Sequence, residues 1–104
     1  MAMTPEGKVK AQIDKLLKAH DVWYFKPVQT GLGVRGTPDY LCLLQGRFFA
    51  IEAKADATKK PTEMQKCQME EIMRRSGYAM VIHAGNLDEL RRFLASFTGD
   101  SKWR

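Results

Sequence analysis

The chain has 104 residues, of which 44% are hydrophobic and 28% are charged. This length fits one domain with a single core, and this balance excludes an intrinsically disordered chain. The formal net charge of +5 favours an anionic partner, for which nucleic acid is the first candidate. The N-terminal residues lack the apolar stretch of a signal peptide, and no run is long enough to span a membrane.

The two cysteines indicate neither a disulfide framework nor a zinc site. Cys42 and Cys67 have no Cys or His neighbours at the spacing of metal ligands. Both lie in apolar patterns, so we expect two buried thiols in a reducing compartment. Together with the missing signal peptide, this predicts a cytoplasmic protein.

The first element is a helix that begins at Thr4 and Pro5, with a hydroxyl at the N-cap and a proline at the first helical position. Apolar residues then recur at helical spacing, namely Val9, Ile13, Leu16 and Leu17. Glu6 lies on the same side of the first turn as this stripe. It is either an acid favoured by the helix dipole or a carboxylate that reaches a metal, and the spacing leaves both open.

A strand is predicted from Asp21 to Lys26, and a glycine-rich stretch follows from Gln29 to Pro38. Residues 31–36 match the GxGxxG pattern of dinucleotide-binding proteins. That pattern requires a helix directly after the glycines, whereas Pro38 and a strand-like run follow here. We therefore predict no small-molecule cofactor and interpret the stretch as a loop whose backbone can approach a phosphate.

Two apolar runs, 40–44 and 47–55, flank a Gln-Gly turn signal and predict a strand hairpin. Alternation along a strand directs Glu52 and Lys54 to the same face, roughly 6–7 Å apart. Asp39 comes directly before the first of these strands and can meet them there. Two carboxylates can hold a hard cation such as Mg²⁺, and a nearby ammonium can orient water or neutralise phosphate. The pattern is typical of phosphodiester cleavage.

A polar loop with Lys59 and Lys60 leads to a second helix, predicted from Thr62 to about Ser76 and closed by Gly77. Thr62 and Gln65 have the spacing of a capping box. Gln65 also aligns with the apolar residues Met69, Ile72 and Met73 on one helix face, which would direct it toward the sheet. The two interpretations are compatible, and the sequence leaves both open.

The last elements are a strand from Tyr78 to His83 and a helix capped by Asn86, with Glu89 at the matching box position. Residues 98–104 are predicted to form a loose polar tail. The element order is helix, three strands, helix, strand, helix, with a parallel last strand reached by a right-handed crossover. This predicts an α/β fold with a mixed sheet flanked by helices.

The residues just described resemble those of the PD-(D/E)XK nucleases, and among them the small stand-alone VRR-NUC (virus-type replication-repair nuclease) domains. The matching segments are 35–39, 46–54 and Gln65, and the order and spacing agree from Glu6 to about Leu94. The resemblance implies a single nuclease domain over residues 1–104 with a restriction-endonuclease-like fold. It further implies hydrolysis of DNA, with a preference for branched DNA such as four-way (Holliday) junctions, by a homodimer.

The resemblance also implies roles for individual residues. Asp39, Glu52 and the backbone carbonyl of Ala53 would bind Mg²⁺, for which Mn²⁺ is an expected substitute. Lys54 would position the attacking water and stabilise the phosphate transition state, while Gln65 and Glu6 match accessory positions of the site. Flanking cations are expected to bind DNA phosphates, namely Lys26, Arg35, Lys59 and Lys60.

Three functions remain open on the sequence alone. The leading one is a metal-dependent endodeoxyribonuclease, of a kind that suits DNA repair or a phage. The second is a non-catalytic module that binds branched DNA, and the third is an interaction domain whose acids form surface ion pairs. The dimer interface is not located, although Leu32, Val34 and Trp103 are apolar candidates. His83 is predicted to be a structural histidine.

Overall fold

The computed structural model describes residues 3–28 and 33–97, so Leu32, Trp103 and the predicted tail lie outside the described residues. The helices are α1 (Pro5–Ala19), α2 (Glu63–Arg74) and α3 (Leu87–Ala95), and the strands are β1 (Trp23–Phe25), β2 (Tyr40–Leu44), β3 (Arg47–Ala53) and β4 (Tyr78–Ile82). The strands form one sheet in the order β1-β2-β3-β4. β1, β2 and β3 pair antiparallel, and β4 pairs parallel to β3. The predicted α/β class, element order and parallel last strand are confirmed.

One face of the sheet forms the hydrophobic core together with α1 and α3. Alternate residues of β2 and β3, such as Tyr40, Cys42 and Phe49, are fully buried on this face. The helices complete the cluster with Val9, Ile13 and Leu17 from α1 and with Leu87, Leu90 and Leu94 from α3. Apolar residues that recur every two positions in the strands and about every 3.6 positions in the helices therefore pack together in one layer.

The opposite face of the sheet is only partly covered. α2 contacts β3 and β4 on this face, whereas Trp23, Phe25 and Leu43 of β1 and β2 remain largely exposed. The catalytic candidates Glu52 and Gln65 meet on this face, beneath the first turn of α2. Within residues 3–28 and 33–97, every helix is too short or too polar to cross a membrane.

Several element ends differ from the sequence prediction. β1 begins at Trp23 rather than Asp21, because Asp21 adopts a positive φ of 57° in the turn after α1. β3 ends at Ala53 and β4 ends at Ile82, each short of its predicted end. α2 ends before Ser76, whose φ of 69° takes the left-handed position that we expected at Gly77.

Two side-chain predictions were wrong on α2. Cys67 is exposed, while Cys42 is buried as expected. Met73 is also exposed, at 49% of its surface. α2 packs through Met69 and half-buried Ile72, and Cys67 lies two residues from Met69, on the other side of the helix.

The predicted capping box of α3 does not form. Asn86 occupies the N-cap position, but its side chain makes no cap hydrogen bond. Its Oδ1 instead accepts from the backbone N–H of His83 at 2.7 Å, and its Nδ2 donates to the carbonyl of Val81 at 2.9 Å. Asn86 therefore fixes the loop after β4. His83 has a structural contact in the same loop, since its Nδ1 accepts from the N–H of Gly85.

Candidate active site

Two carboxylates lie at one end of the sheet, one near the end of β3 and one just before the start of β2. Glu52 lies near the end of β3 and is 3% exposed, and it is the one buried charged residue in the described part of the chain. Asp39 directly precedes β2, and its backbone N–H donates to Oε1 of Glu52 at 3.2 Å. The N–H of Ala53 donates to Oδ2 of Asp39 at 2.9 Å. The hairpin register, in which Tyr40 faces Ile51, thus brings the two acids together.

Lys54 and Gln65 complete a hydrogen-bonded group with Glu52. The ammonium of Lys54 donates to Oε1 of Gln65 at 3.1 Å and lies 3.4 Å from Oε2 of Glu52. Nε2 of Gln65 donates to the same Oε2 at 2.6 Å. The backbone N–H of Lys54 donates to the carbonyl of Ile82 at 2.9 Å, which ties its main chain to β4. Each polar side chain is therefore held by at least two partners.

Gln65 serves both functions that the sequence left open. Its Oε1 accepts from the backbone N–H of Thr62 at 2.8 Å, and its own N–H donates to the Thr62 hydroxyl at 3.2 Å. These bonds form the capping box of α2. The same Oε1 accepts from Lys54, so the helix cap fixes the orientation of a side chain that belongs to the site.

The loop before Asp39 packs against the first turn of α2. Gly36 adopts a positive φ of 77°, and a Cβ built there would lie 2.4 Å from the backbone C and O of Met64. It would also lie 2.7 Å from the backbone N of Gln65. The glycine-rich stretch therefore ends in a close backbone contact, which couples the position of Asp39 to that of Gln65.

The charges of this group are not balanced. Burial, followed by the negative charge of Asp39, raises the pKa of Glu52 to about 7, and Lys54 only partly offsets these effects. Glu6 adds a third acid close by, while Lys10 and Lys54 supply two positive charges. A divalent cation beside Asp39 and Glu52 would remove the repulsion between the two carboxylates.

Lys10 contacts the candidate site, although the sequence analysis did not single it out. Its Nζ lies 3.3 Å from Oε2 of Glu6 and 3.6 Å from Oδ1 of Asp39. Burial opposes the charged form, but Asp39 and Glu6 outweigh it and raise the pKa of Lys10. The sequence places Lys10 one helical turn after Glu6, on the same side of α1. This spacing could have identified Lys10 as a neighbour of Glu6.

The donor set fits a hard cation. Asp39, Glu52 and the carbonyl of Ala53 supply only oxygen atoms, as Mg²⁺ prefers, and Mg²⁺ commonly uses one or two carboxylates and keeps several waters. The N–H of Ala53 faces Asp39, and strand geometry directs the carbonyl of the same residue to that side. Over residues 3–28 and 33–97, no cluster of three or more His, Cys, Asp or Glu side chains forms a metal site. The fit of this site to Mg²⁺ therefore depends on the carboxylates of Asp39 and Glu52.

The four predicted DNA-binding cations lie in different places. Lys26 lies on the core side of the sheet, where its Nζ contacts both oxygens of Asp14 at 3.0–3.1 Å. The structure does not bring Lys26 to the site. Arg35 is exposed in the turn before Asp39, and Lys59 and Lys60 are exposed in the loop between β3 and α2.

Comparisons with known proteins bear on the fold. A scan against protein-family models matches no family, and a search of curated proteins finds no match. Among solved structures, a chain described as a "VRR_NUC domain" aligns with a TM-score of 0.74 and 23% sequence identity. The alignment covers 92% of this chain and 100% of that chain. The chain thus has the fold of a VRR-NUC domain.

Proposed function

We propose that the protein is a Mg²⁺- or Mn²⁺-dependent endodeoxyribonuclease that acts on branched DNA. The observation that carries this proposal is the convergence of Asp39, Glu52, Lys54 and Gln65 in one hydrogen-bonded group. The VRR-NUC fold supports it, since domains of that name are nuclease domains. The net charge of +5 favours binding to the DNA backbone.

Phosphodiester hydrolysis needs an in-line nucleophile and stabilisation of the charge that develops on phosphate. Asp39, Glu52 and the Ala53 carbonyl would hold a divalent cation, which would supply both an activated water and positive charge. We assign to Lys54 the donation of a hydrogen bond to the attacking water or to a phosphate oxygen. Gln65 keeps that ammonium in place, because its Oε1 accepts from Lys54 while the capping box holds its own backbone.

Contacts to the DNA backbone are proposed for Arg35, Lys59 and Lys60. All three are exposed, and they lie in the two loops that lead into Asp39 and out of β3. Lys26 is removed from this set because Asp14 already neutralises it. Substitution of Lys59 and Lys60 by Ala should weaken DNA binding and reduce its salt dependence.

A four-way junction needs two nicks, and each chain contributes one site, so we propose a homodimer. The supporting observation is the uncovered sheet face, on which Trp23, Leu43 and Phe48 lie side by side across three strands. Trp23 is 65% exposed and Leu43 45% exposed. The side chains of β1 and β2 on this face are uncharged, which suits a second apolar face rather than phosphates.

The dimer is tested by light scattering of the wild type, Trp23→Asp and Val28→Asp. Val28 is 74% exposed but lies outside β1, so it is a matched control for an added charge. We expect a dimer for the wild type and Val28→Asp, and a monomer for Trp23→Asp. A wild type that stays monomeric with junction DNA would remove the dimer from the proposal.

The nuclease proposal is tested by cleavage of a labelled four-way junction and of a linear duplex in Mg²⁺, Mn²⁺ or EDTA. We expect metal-dependent paired nicks in the junction, and no cleavage by Glu52→Ala or Lys54→Ala. Both variants should still bind the junction. Binding without cleavage by the wild type in every metal would contradict the proposal and favour a non-catalytic DNA-binding module.

A further inference from the structure

The ammonium of Lys10 lies between two carboxylates of the site. Oε2 of Glu6 and Oδ1 of Asp39 are both within 3.6 Å of its Nζ. Glu6 is on the same helix, one turn earlier, but Asp39 belongs to the segment that enters β2. Lys10 therefore joins α1 to the end of the sheet that carries the candidate site. It is not only part of an ion pair within one helix.

The surroundings of Lys10 are those of a site residue. Its side chain is 35% exposed and that of Asp39 is 15% exposed, in contrast to the ion pairs on the outer surfaces of α2 and α3. The two oxygens of Asp39 are divided between two partners. Oδ2 accepts from the N–H of Ala53, and Oδ1 faces Lys10.

A pair of carboxylates that share one cation is also how proteins commonly hold a hard divalent ion, and some nucleases bind two such ions. Glu6 and Asp39 have this relationship to Lys10, and Asp39 and Glu52 form the other carboxylate pair. We propose that the ammonium of Lys10 takes the place of a second divalent cation, so that each chain binds one metal ion. This inference rests on the proposed function.

Two consequences follow for the neighbouring residues. Glu6 holds Lys10 in position and is not a metal ligand, so the second of the two roles that the sequence left open for Glu6 does not apply. Lys10 is a positioning residue, since it neutralises Asp39 on the side away from Ala53. Removal of the ammonium leaves Glu6 and Asp39 without their shared positive charge and open to a second divalent cation.

The test is Mn²⁺ binding without DNA, measured by calorimetry and by electron paramagnetic resonance on the wild type, Lys10→Met, Lys10→Met/Glu6→Gln and Lys8→Met. Methionine keeps most of the apolar stem of lysine and removes the charge. The bond from the Tyr40 hydroxyl goes to the backbone carbonyl of Lys10, so the substitution leaves it in place. Lys8 is exposed on the same helix and is the matched control.

We expect one Mn²⁺ per chain for the wild type and Lys8→Met, and two for Lys10→Met. The second ion should broaden the Mn²⁺ spectrum by dipolar coupling to the first. The double variant should return to one ion, since Glu6 no longer supplies a carboxylate.

Two ions in the wild type, or one ion in Lys10→Met, would overturn the role of Lys10 and leave the nuclease proposal intact. No Mn²⁺ binding by the wild type would overturn the metal site itself, and the inference with it. Circular dichroism of each variant establishes that a change in stoichiometry does not reflect unfolding.

Discussion

Two polar clusters that contain carboxylates lie on opposite faces of the sheet, and they are built differently. On the core side, Asp14 has one cation, with the Nζ of Lys26 within 3.1 Å of both of its oxygens. The hydroxyl of Tyr40 lies 2.8 Å from the same carboxylate. The acid, the base and the hydroxyl satisfy one another, so this cluster needs no further partner.

On the other face, Glu52 is buried beside a second carboxylate. Its hydrogen bonds come from Gln65 and from the backbone of Asp39, yet the pKa of Glu52 rises to about 7 through burial and the charge of Asp39. Hydrogen bonding alone therefore does not balance this cluster. The difference supports our proposal that a cation completes the Asp39–Glu52 cluster, whereas Asp14 and Lys26 form a structural ion pair.

The largest expected effect on stability comes from Glu52→Gln. The folded pKa of about 7 lies above the ordinary value of 4.5, so the folded state holds the proton more tightly than the unfolded state. This group's contribution to the free energy of unfolding is full below about pH 4.5 and is lost as the pH rises through 7. The loss is about 3 kcal/mol.

Urea unfolding in EDTA measures this prediction. Relative to the wild type, Glu52→Gln should gain about 3 kcal/mol between pH 4.5 and 8, and Mg²⁺ at pH 8 should stabilise the wild type only. Asp14→Asn is the comparison from the other cluster, and it should lose stability because Lys26 and the Tyr40 hydroxyl lose the carboxylate that they contact. If the stability of Glu52→Gln changes with pH in the same way as that of the wild type, the charges around Glu52 are not unbalanced as we infer.

A smaller effect is expected for Gly36→Ala. The added Cβ would clash with the backbone of Met64, and the residue has a positive φ of 77°. The free energy of unfolding should fall by about 2 kcal/mol, and cleavage should slow because the first turn of α2 carries Gln65.

Gly46→Ala is the matched control for Gly36→Ala. Gly46 has a similar φ of 81° but nothing within 4 Å of the added Cβ. It should lose only about 1 kcal/mol through backbone strain and should cleave at the wild-type rate. Equal losses of stability and activity in the two variants would show that the contact with α2 is unimportant.

The smallest effect is expected for Tyr40→Phe, which removes the hydroxyl that contacts Asp14 and the Lys10 carbonyl. The buried ring remains, so we expect a loss of about 1 kcal/mol in thermal or urea unfolding. Junction cleavage should be unchanged, because Lys26 still neutralises Asp14. If Tyr40→Phe slows cleavage although the protein remains folded, the Asp14 cluster and the Asp39–Glu52 cluster are coupled.

Local patterns in the sequence predict most of this fold. The proline at the start of α1, the Gln-Gly turn between β2 and β3, and the Thr62–Gln65 cap each depend on residues that are near one another in the chain. Alternation along β3 and the residue that follows it directs Glu52 and Lys54 to one face, and the hairpin register adds Asp39.

The remaining differences from the sequence analysis concern contacts between distant segments. Lys26 was assigned to DNA, but its partner Asp14 is on α1, twelve positions earlier. Lys10 was overlooked because its contact with Asp39 spans a helix, β1 and a loop. Asn86 bonds the loop after β4 instead of capping α3, since Asn side chains compete for nearby backbone groups. These choices depend on tertiary packing, which one sequence does not display.

The most direct test of the central claim compares Asp39→Asn with Asp14→Asn in single-turnover cleavage of a four-way junction with saturating Mg²⁺. Both substitutions keep the side-chain shape and remove one negative charge. We predict a rate loss of at least about a thousandfold for Asp39→Asn, whose carboxylate faces the proposed metal. Asp14→Asn should cleave within about threefold of the wild type. Equal rates for the two variants would contradict the assignment of the Asp39–Glu52 cluster as the active site.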